Sequence, residues 1–191
     1  METDRPLTPA GQRIVEAAED LFYNRGITAV GVDLIAERSG VTKRTLYNQF
    51  GSKDTVVLAY LTARGERWRA LVEDTAAAAG DPVAAVTAPF VALQEWSATS
   101  SRGCAFINAL AELPEPAHPA HRLAVEQKHW LLNLFQRLAT AAGCTQPDQL
   151  ATQLLVLHEG ALATQPLGLD TLHASTALAR ELTLASCPAA R

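Results

Sequence analysis

The residues best placed to do chemistry are three cations that follow hydroxyl side chains. Lys43 and Arg44 come directly after Thr42, and Lys53 comes directly after Ser52. Thr and Ser are good helix N-caps, so each cation falls in the first turn of a helix. A helix start already carries about half a positive charge, and a cation there is unfavourable by about 0.3–1 kcal/mol. Two helix starts with the same mismatch are completed by an external anion, because backbone N–H groups, dipole and side chain then converge on it. Phosphate is the natural candidate. The competing reading is that these are ordinary solvated cations.

The other reactive residue types form no constellation. His118, His121, His129, His158 and His173 lie outside any HExxH or Cys/His pattern, and the chain has no GxSxG elbow, P-loop or GxGxxG. Each of those motifs has a mechanism that needs its spacing, so no enzyme, cofactor or metal is expected. A helical adaptor that binds only proteins would leave the placement of Lys43, Arg44 and Lys53 unexplained. Cys104, Cys144 and Cys187 are few, odd in number and without a CxxC pair. That spacing suggests neither a disulfide framework nor a zinc module, and three reduced thiols are expected.

The elements that must position the cations are helices. Ile14, Ala17, Ala18, Leu21 and Phe22 form one apolar stripe at helical spacing over residues 8–25, opened by Thr8-Pro9 and stopped by Gly26. Residues 32–40 make at most two turns, with Asp33 at the favourable end and Gly40 closing them. After Val41, Thr42 caps a second short helix over 43–50, whose Leu46 and Phe50 share one face. Two short helices joined by a tight turn containing Gly outline a helix-turn-helix. A long helix is expected from Lys53 to about Ala79. Further helices follow over 83–97, 105–113, 117–142, 148–163 and 169–185, separated by Gly- or Pro-containing breaks. No β-strand alternation is long enough to defend. The fold class is therefore all-α with about nine helices.

Over residues 10–60 the sequence resembles the DNA-binding domain of TetR-type transcriptional regulators. The residues that carry the likeness include Ile14, Ala17, Ala18, Leu21, Phe22, Gly26, Val32, Ile35 and Ala36. Its densest part is the ungapped block from Gly40-Val41-Thr42-Lys43-Arg44 through Thr45-Leu46-Tyr47-Asn48-Gln49 to Phe50-Gly51-Ser52-Lys53. The resemblance implies a DNA-binding domain over 8–52, with its motif at about 31–50, and a helical regulatory, ligand-binding and dimerisation domain over 53–185. It also implies roles. The helix over 43–50 would enter the major groove, with Arg44 reading guanine through its fork and Lys43, Thr45 and Asn48 reaching base edges or backbone. Thr42, Tyr47 and Lys53 would bond phosphates. The family often has Thr-Ser before the first helix of the motif, where this chain has Val30-Gly31. The Gly31 N–H would then donate to phosphate, with Thr28 as a nearby substitute.

Bulk charge neither supports nor excludes this reading. Net charge is −4, and residues 1–60 hold seven Lys or Arg against eight Asp or Glu. Any affinity for DNA has to come from where the cations stand. No run approaches the length of a membrane span, and the N-terminus lacks the apolar stretch of a signal peptide, so a cytoplasmic protein is expected.

The later helices bear on assembly and control. Those over 148–163 and 169–185 carry charge only at Glu159, Arg180 and Glu181 after their first turns, and helices so poor in charge need burial on more than one side. Pairing with two-fold copies gives a homodimer through residues 148–185. A small-molecule effector is implied by the family. Its pocket is expected to draw on Trp96, Cys104, Asn108, Trp130, Phe135 and His158, aromatic or polar residues on otherwise apolar helices. Gly103-Cys104 through Asn108 resembles a Gly-Cys-x-x-x-Asn element found in some family members. An alternative within the same fold is an oxidant or electrophile sensor through Cys104, although only Arg102 is a nearby basic group in sequence. The expected protein is a repressor that holds a pseudo-palindromic operator as a homodimer and is released by its effector.

Overall fold

The computed structural model describes residues 7–98 and 102–187. Among them are nine α-helices: α1 (Pro9–Arg25), α2 (Val32–Ser39), α3 (Lys43–Phe50), α4 (Lys53–Ala77), α5 (Pro82–Ser97), α6 (Ala105–Glu112), α7 (Pro119–Ala141), α8 (Pro147–Thr164) and α9 (Thr171–Ser186). A 3₁₀ turn, Gln165–Leu167, joins the last two. The all-α expectation holds, and helix ends fall within about two residues of those expected. The starts of α5, α7 and α8 shift to prolines, whose fixed φ and missing N–H suit a first turn.

The described residues pack into two units. The first contains the chain up to Arg64 together with Ala105–Val125, and the second contains Gly65–Cys104 together with the described residues from Glu126 onward. The unit that carries the helix-turn-helix thus also contains α6 and the first half of α4.

In the first unit α1 buries Ile14, Ala18, Leu21 and Phe22, the stripe anticipated from spacing. Covering a large apolar side chain of this kind stabilises the unit by about 1.5–3 kcal/mol. Local chemistry shapes α2 and α3. The backbone turns at Gly40 in the left-handed region (φ 66°), and the N–H of Val41 donates to the Ala36 carbonyl at 3.1 Å. Leu46 and Phe50 then point inward, fully and nearly fully buried. From α4, Val56, Val57, Tyr60 and Leu61 join this core. Arg64 Nη1 reaches Glu19 at 2.8 Å and its guanidinium lies 4.5 Å from the Tyr23 ring centroid, so the buried cation is paired and stacked.

The core of the second unit contains Trp68, Val72, Phe90, Leu93, Phe135 and Leu154. Pro89 lies inside α5 without ending it. The expectation of three reduced thiols is corrected here, because Cys144 and Cys187 form a disulfide. Cys144 follows α7 and Cys187 follows α9, and the segment after α7 meets the end of α9 where the Thr145 N–H donates to the Ser186 carbonyl at 2.9 Å. A separation of 43 residues carries no spacing signal, so only tertiary packing reveals the pair. Cys104 is the free cysteine.

Candidate nucleic-acid interface

The recognition element is built from its caps upward. Thr42 Oγ1 accepts from the Thr45 N–H at 3.1 Å and lies 2.9 Å from the Thr45 hydroxyl, which opens α3 as expected. Ser52 Oγ accepts from the Thr55 N–H at 3.1 Å and opens α4 in the same way. Thr8 caps α1, and its hydroxyl also donates to Gln49 Oε1 at 2.8 Å, tying the start of α1 to the last turn of α3.

With Leu46 and Phe50 buried, the opposite face of α3 presents Lys43, Arg44, Tyr47 and Asn48, all exposed. Arg44, Tyr47 and Asn48 stand at i, i+3 and i+4, so they form one face one turn deep. Tyr47 is 42 % exposed, high for a large aromatic side chain. Thr42 is exposed at the cap and Thr45 is half-buried beside it.

Two cations are less available than their positions in the sequence suggest. Lys43 Nζ lies 2.8 Å from Asp33, and the hydrogen bond and charge of that carboxylate hold the ammonium above the ordinary lysine value. Lys53 is half-buried, its ammonium 6.0 Å from the centroid of the Phe22 ring. At the start of α2, Gly31 is extended and exposed, has no side-chain cap to offer, and opens onto free space where a Cβ would stand. Thr28, the nearby substitute for a phosphate contact, is already engaged. Its N–H and its hydroxyl both donate to Glu112 Oε2, at 2.8 and 3.0 Å. An anion approaching that hydroxyl would meet a carboxylate. Glu112, the last residue of α6, had no signal in the sequence, since its partner lies 84 positions away.

The residues expected to form an effector pocket divide between the two units. Asn108 lies in α6, with the first unit, whereas Trp96, Cys104, Trp130, Phe135 and His158 lie in the second. The ring of His158 is buried against Trp68, Phe90 and Phe135, with centroids 5.7, 5.5 and 6.4 Å away. Trp96 packs edge-on to Trp68 at 5.5 Å, and the Arg69 guanidinium lies 5.2 Å from the Trp130 ring.

A chain of polar contacts runs out from that aromatic wall. His158 Nδ1 lies 3.3 Å from Glu159 Oε1, and the same oxygen accepts from Lys128 Nζ at 2.8 Å. Lys128 Nζ also donates to Cys104 Sγ at 3.0 Å. Burial alone would push Lys128 down, but Cys104 and Glu159 outweigh it and hold the ammonium above its usual value. Burial would likewise raise Glu159, yet the His158 ring and the Lys128 charge keep its carboxyl at about 2. His158 is shifted the other way, lowered chiefly by burial. Glu159 Oε2 is buried with no hydrogen-bond partner among the described residues. Gly103 lets Cys104 sit here. It has φ 69°, and a Cβ on it would stand 3.2 Å from the Leu162 carbonyl oxygen of α8. Lys128 was missed from the sequence. Glu159 had a signal, as a single charge in the middle of an apolar helix.

Residues 14–60 match the family of bacterial regulatory proteins described as the tetR family. A TetR-family transcriptional regulator from Streptomyces coelicolor, SCO4454, superimposes with a TM-score of 0.84 at 30% identity, covering 95% of each chain. A TetR-type regulator from Streptomyces avermitilis gives a TM-score of 0.79 at 31% identity, over 95% of this chain and 98% of its own. In sequence, the HTH-type transcriptional regulator YjdC of Escherichia coli is 27% identical over 156 residues, 78% of this chain and 80% of that protein. No helix among the described residues is long and apolar enough to cross a membrane.

Proposed function

The chain belongs to the TetR family of bacterial transcriptional regulators, which are not enzymes, and on that premise we propose that it is a repressor holding a pseudo-palindromic operator as a homodimer. The observation that carries the DNA-reading half is the exposed face of α3. Arg44, Tyr47 and Asn48 stand together on it, backed by Leu46 and Phe50 in the core. Arg44 reads guanine through N7 and O6, and Asn48 takes an adjacent base edge. Thr42, Thr45, Tyr47, Lys53 and the Gly31 N–H hold phosphates and set the register. Lys43 contributes once DNA competes for it with Asp33.

One recognition helix of eight residues is too short to specify a site alone. Two copies related by a two-fold axis read half-sites about one DNA turn apart, or a multiple of it. The exposed apolar residues of α8 and α9 support such pairing. Val156 is 68 % exposed and Leu178 is 45 % exposed, and both line open apolar grooves along these helices. Single exposed apolar residues are ordinary, but a continuous patch of them marks an interface.

Release follows when a small-molecule effector binds better to a conformation with the wrong spacing of recognition helices. Equal affinity for both conformations would shift nothing. Selection of genomic fragments by the purified protein, with the stoichiometry of the winning complex measured, tests the proposal. A single pseudo-palindromic site bound by two chains is expected. Sequence-blind binding by a single chain would overturn it.

A further inference from the structure

One short corner of the first unit grips the helix-turn-helix at two places. Glu112 ends α6, His118 comes directly before α7, and residues 113–117 lie between them. The carboxylate of Glu112 accepts from the Thr28 N–H at 2.8 Å and from the Thr28 hydroxyl at 3.0 Å, on the turn that leads into α2. Gly26 leaves room for it, since a Cβ there would stand 3.1 Å from Glu112 Oε2. At the other end of the corner, His118 Nε2 lies 3.6 Å from Asp54 Oδ2, in the first turn of α4. His118 Nδ1 accepts from the Ala120 N–H at 3.1 Å, so the proton of the neutral ring sits on Nε2 and faces that carboxylate.

The corner between the two grips is stiff. Pro114 and Pro116 fix two of its φ angles. The His118 N–H donates to the Glu115 carbonyl at 2.9 Å, and Arg122 Nη1 donates to the Ala117 carbonyl at 2.6 Å. A displacement of Thr28 relative to Asp54 therefore has to break a grip or bend this brace.

Both gripped points stand beside a helix start that faces DNA under the function proposed above. Thr28 lies three residues before Gly31, which opens α2, and Asp54 directly follows Lys53 in α4. In that reading the Gly31 N–H and Lys53 hold phosphates, and α3 lies between them in the chain. We propose that Glu112 and His118 are positioning residues for DNA binding, which fix the spacing of these two phosphate-holding helix starts so that both engage while α3 occupies the major groove. The inference rests on that reading, and each residue acts through its partner, Thr28 or Asp54.

The start of α2 has the greater need of such support. Gly31 gives it no side-chain cap, whereas Ser52 already caps α4. The grips differ in the same order. Glu112 makes two charge-assisted hydrogen bonds to Thr28, while the contact of His118 with Asp54 is longer than a hydrogen bond.

The test measures affinity for the selected operator and for a scrambled duplex over a range of salt concentrations. It compares wild type, Glu112→Ala, Glu112→Gln, Thr28→Val, His118→Asn and the double variant Glu112→Ala with Thr28→Val, each shown by thermal melting to be folded at the assay temperature. Glu112→Ala is expected to lose about tenfold on the operator, with a salt slope shallower by about one, and less than about threefold on the scrambled duplex. Glu112→Gln keeps an acceptor and recovers most of the loss, and the double variant is no weaker than Glu112→Ala alone. His118→Asn can still cap α7 but no longer reaches Asp54, and its loss is specific to the operator and smaller. If Glu112→Ala does not fold, Thr28→Val, which removes only the hydroxyl, carries the same comparison. Unchanged operator affinity and slope, or equal loss on both duplexes, overturns the positioning role. Failure of the wild type to select any DNA overturns the regulator reading, whereas selection by the wild type with the variants unmoved overturns this inference alone.

Discussion

The ammonium of Lys43 lies 2.8 Å from the carboxylate of Asp33, so the first turn of α3 is pinned to the first turn of α2 across the turn at Gly40. Both partners are exposed, so a phosphate that bonds Lys43 has to compete with that carboxylate. A surface ion pair of this kind contributes little to stability. Its effect is expected on DNA binding, where the carboxylate would both occupy the cation and repel the DNA backbone.

Asp33→Asn is accordingly expected to bind DNA more tightly at low salt. The slope of log affinity against log salt should steepen by about one, the signature of one further phosphate contact. Titrations at several salt concentrations check this. An unchanged slope would mean that Lys43 does not reach phosphate.

The grip of Glu112 on Thr28 is a second handle. Glu112→Ala removes the acceptor for the Thr28 N–H and hydroxyl, and a loss of about 0.5–1.5 kcal/mol is expected in urea unfolding. Glu112→Gln keeps one carbonyl acceptor and should lose less. Equal loss for both would place the effect in the carboxylate charge and not in the hydrogen bonds.

Pairing through α8 and α9 predicts that Val156→Glu with Leu178→Glu gives a monomer. Both side chains are exposed in the isolated chain, so the substitutions should leave its helix content intact. Burying two carboxylates against their symmetry mates would leave them unpaired at the centre of the interface. Sedimentation velocity reads the outcome, and a persistent dimer would relocate the interface.

His158 makes stability depend on pH. Its folded value is lowered, chiefly by burial, while in the unfolded chain it titrates near the ordinary 6.5. Below that pH the unfolded chain takes up a proton that the folded chain refuses, so stability is present above about 6.5 and is lost as pH falls through that range toward the folded value. Glu159 adds a second loss lower down, from its ordinary 4.5 toward about 2. Unfolding of His158→Phe should therefore be less sensitive to pH between about 7 and 5 than that of the wild type. Phe fits among Trp68, Phe90 and Phe135, and Lys128 still partners Glu159. Identical pH dependence in the two proteins would contradict the assignment.

What could be read from the sequence was local. Thr8, Thr42 and Ser52 cap helices a few residues away, and Gly26, Gly40 and Gly51 all adopt positive φ just beyond helix ends. The stripes of α1 and α3 repeat within a turn, so their cores were visible as spacing. The features that escaped are pairings between distant positions, namely Thr28 with Glu112, Cys144 with Cys187, and Cys104 with Lys128. Nothing in the neighbourhood of either partner announces such a contact. Lys43 shows the same limit at shorter range. The sequence places it in a first turn, but the way α2 folds back decides that Asp33 takes its charge.

The central claim is that α3 reads DNA through Arg44. Its most direct test is the affinity of wild type and Arg44→Ala for the selected operator and for a scrambled duplex at one salt concentration. The expected result is a loss of about 1–3 kcal/mol per half-site on the operator, with much less change on the scrambled sequence, so that specificity falls more than affinity. An equal loss on both duplexes would reduce Arg44 to a phosphate contact. No loss on either would remove α3 from the major groove and contradict the account.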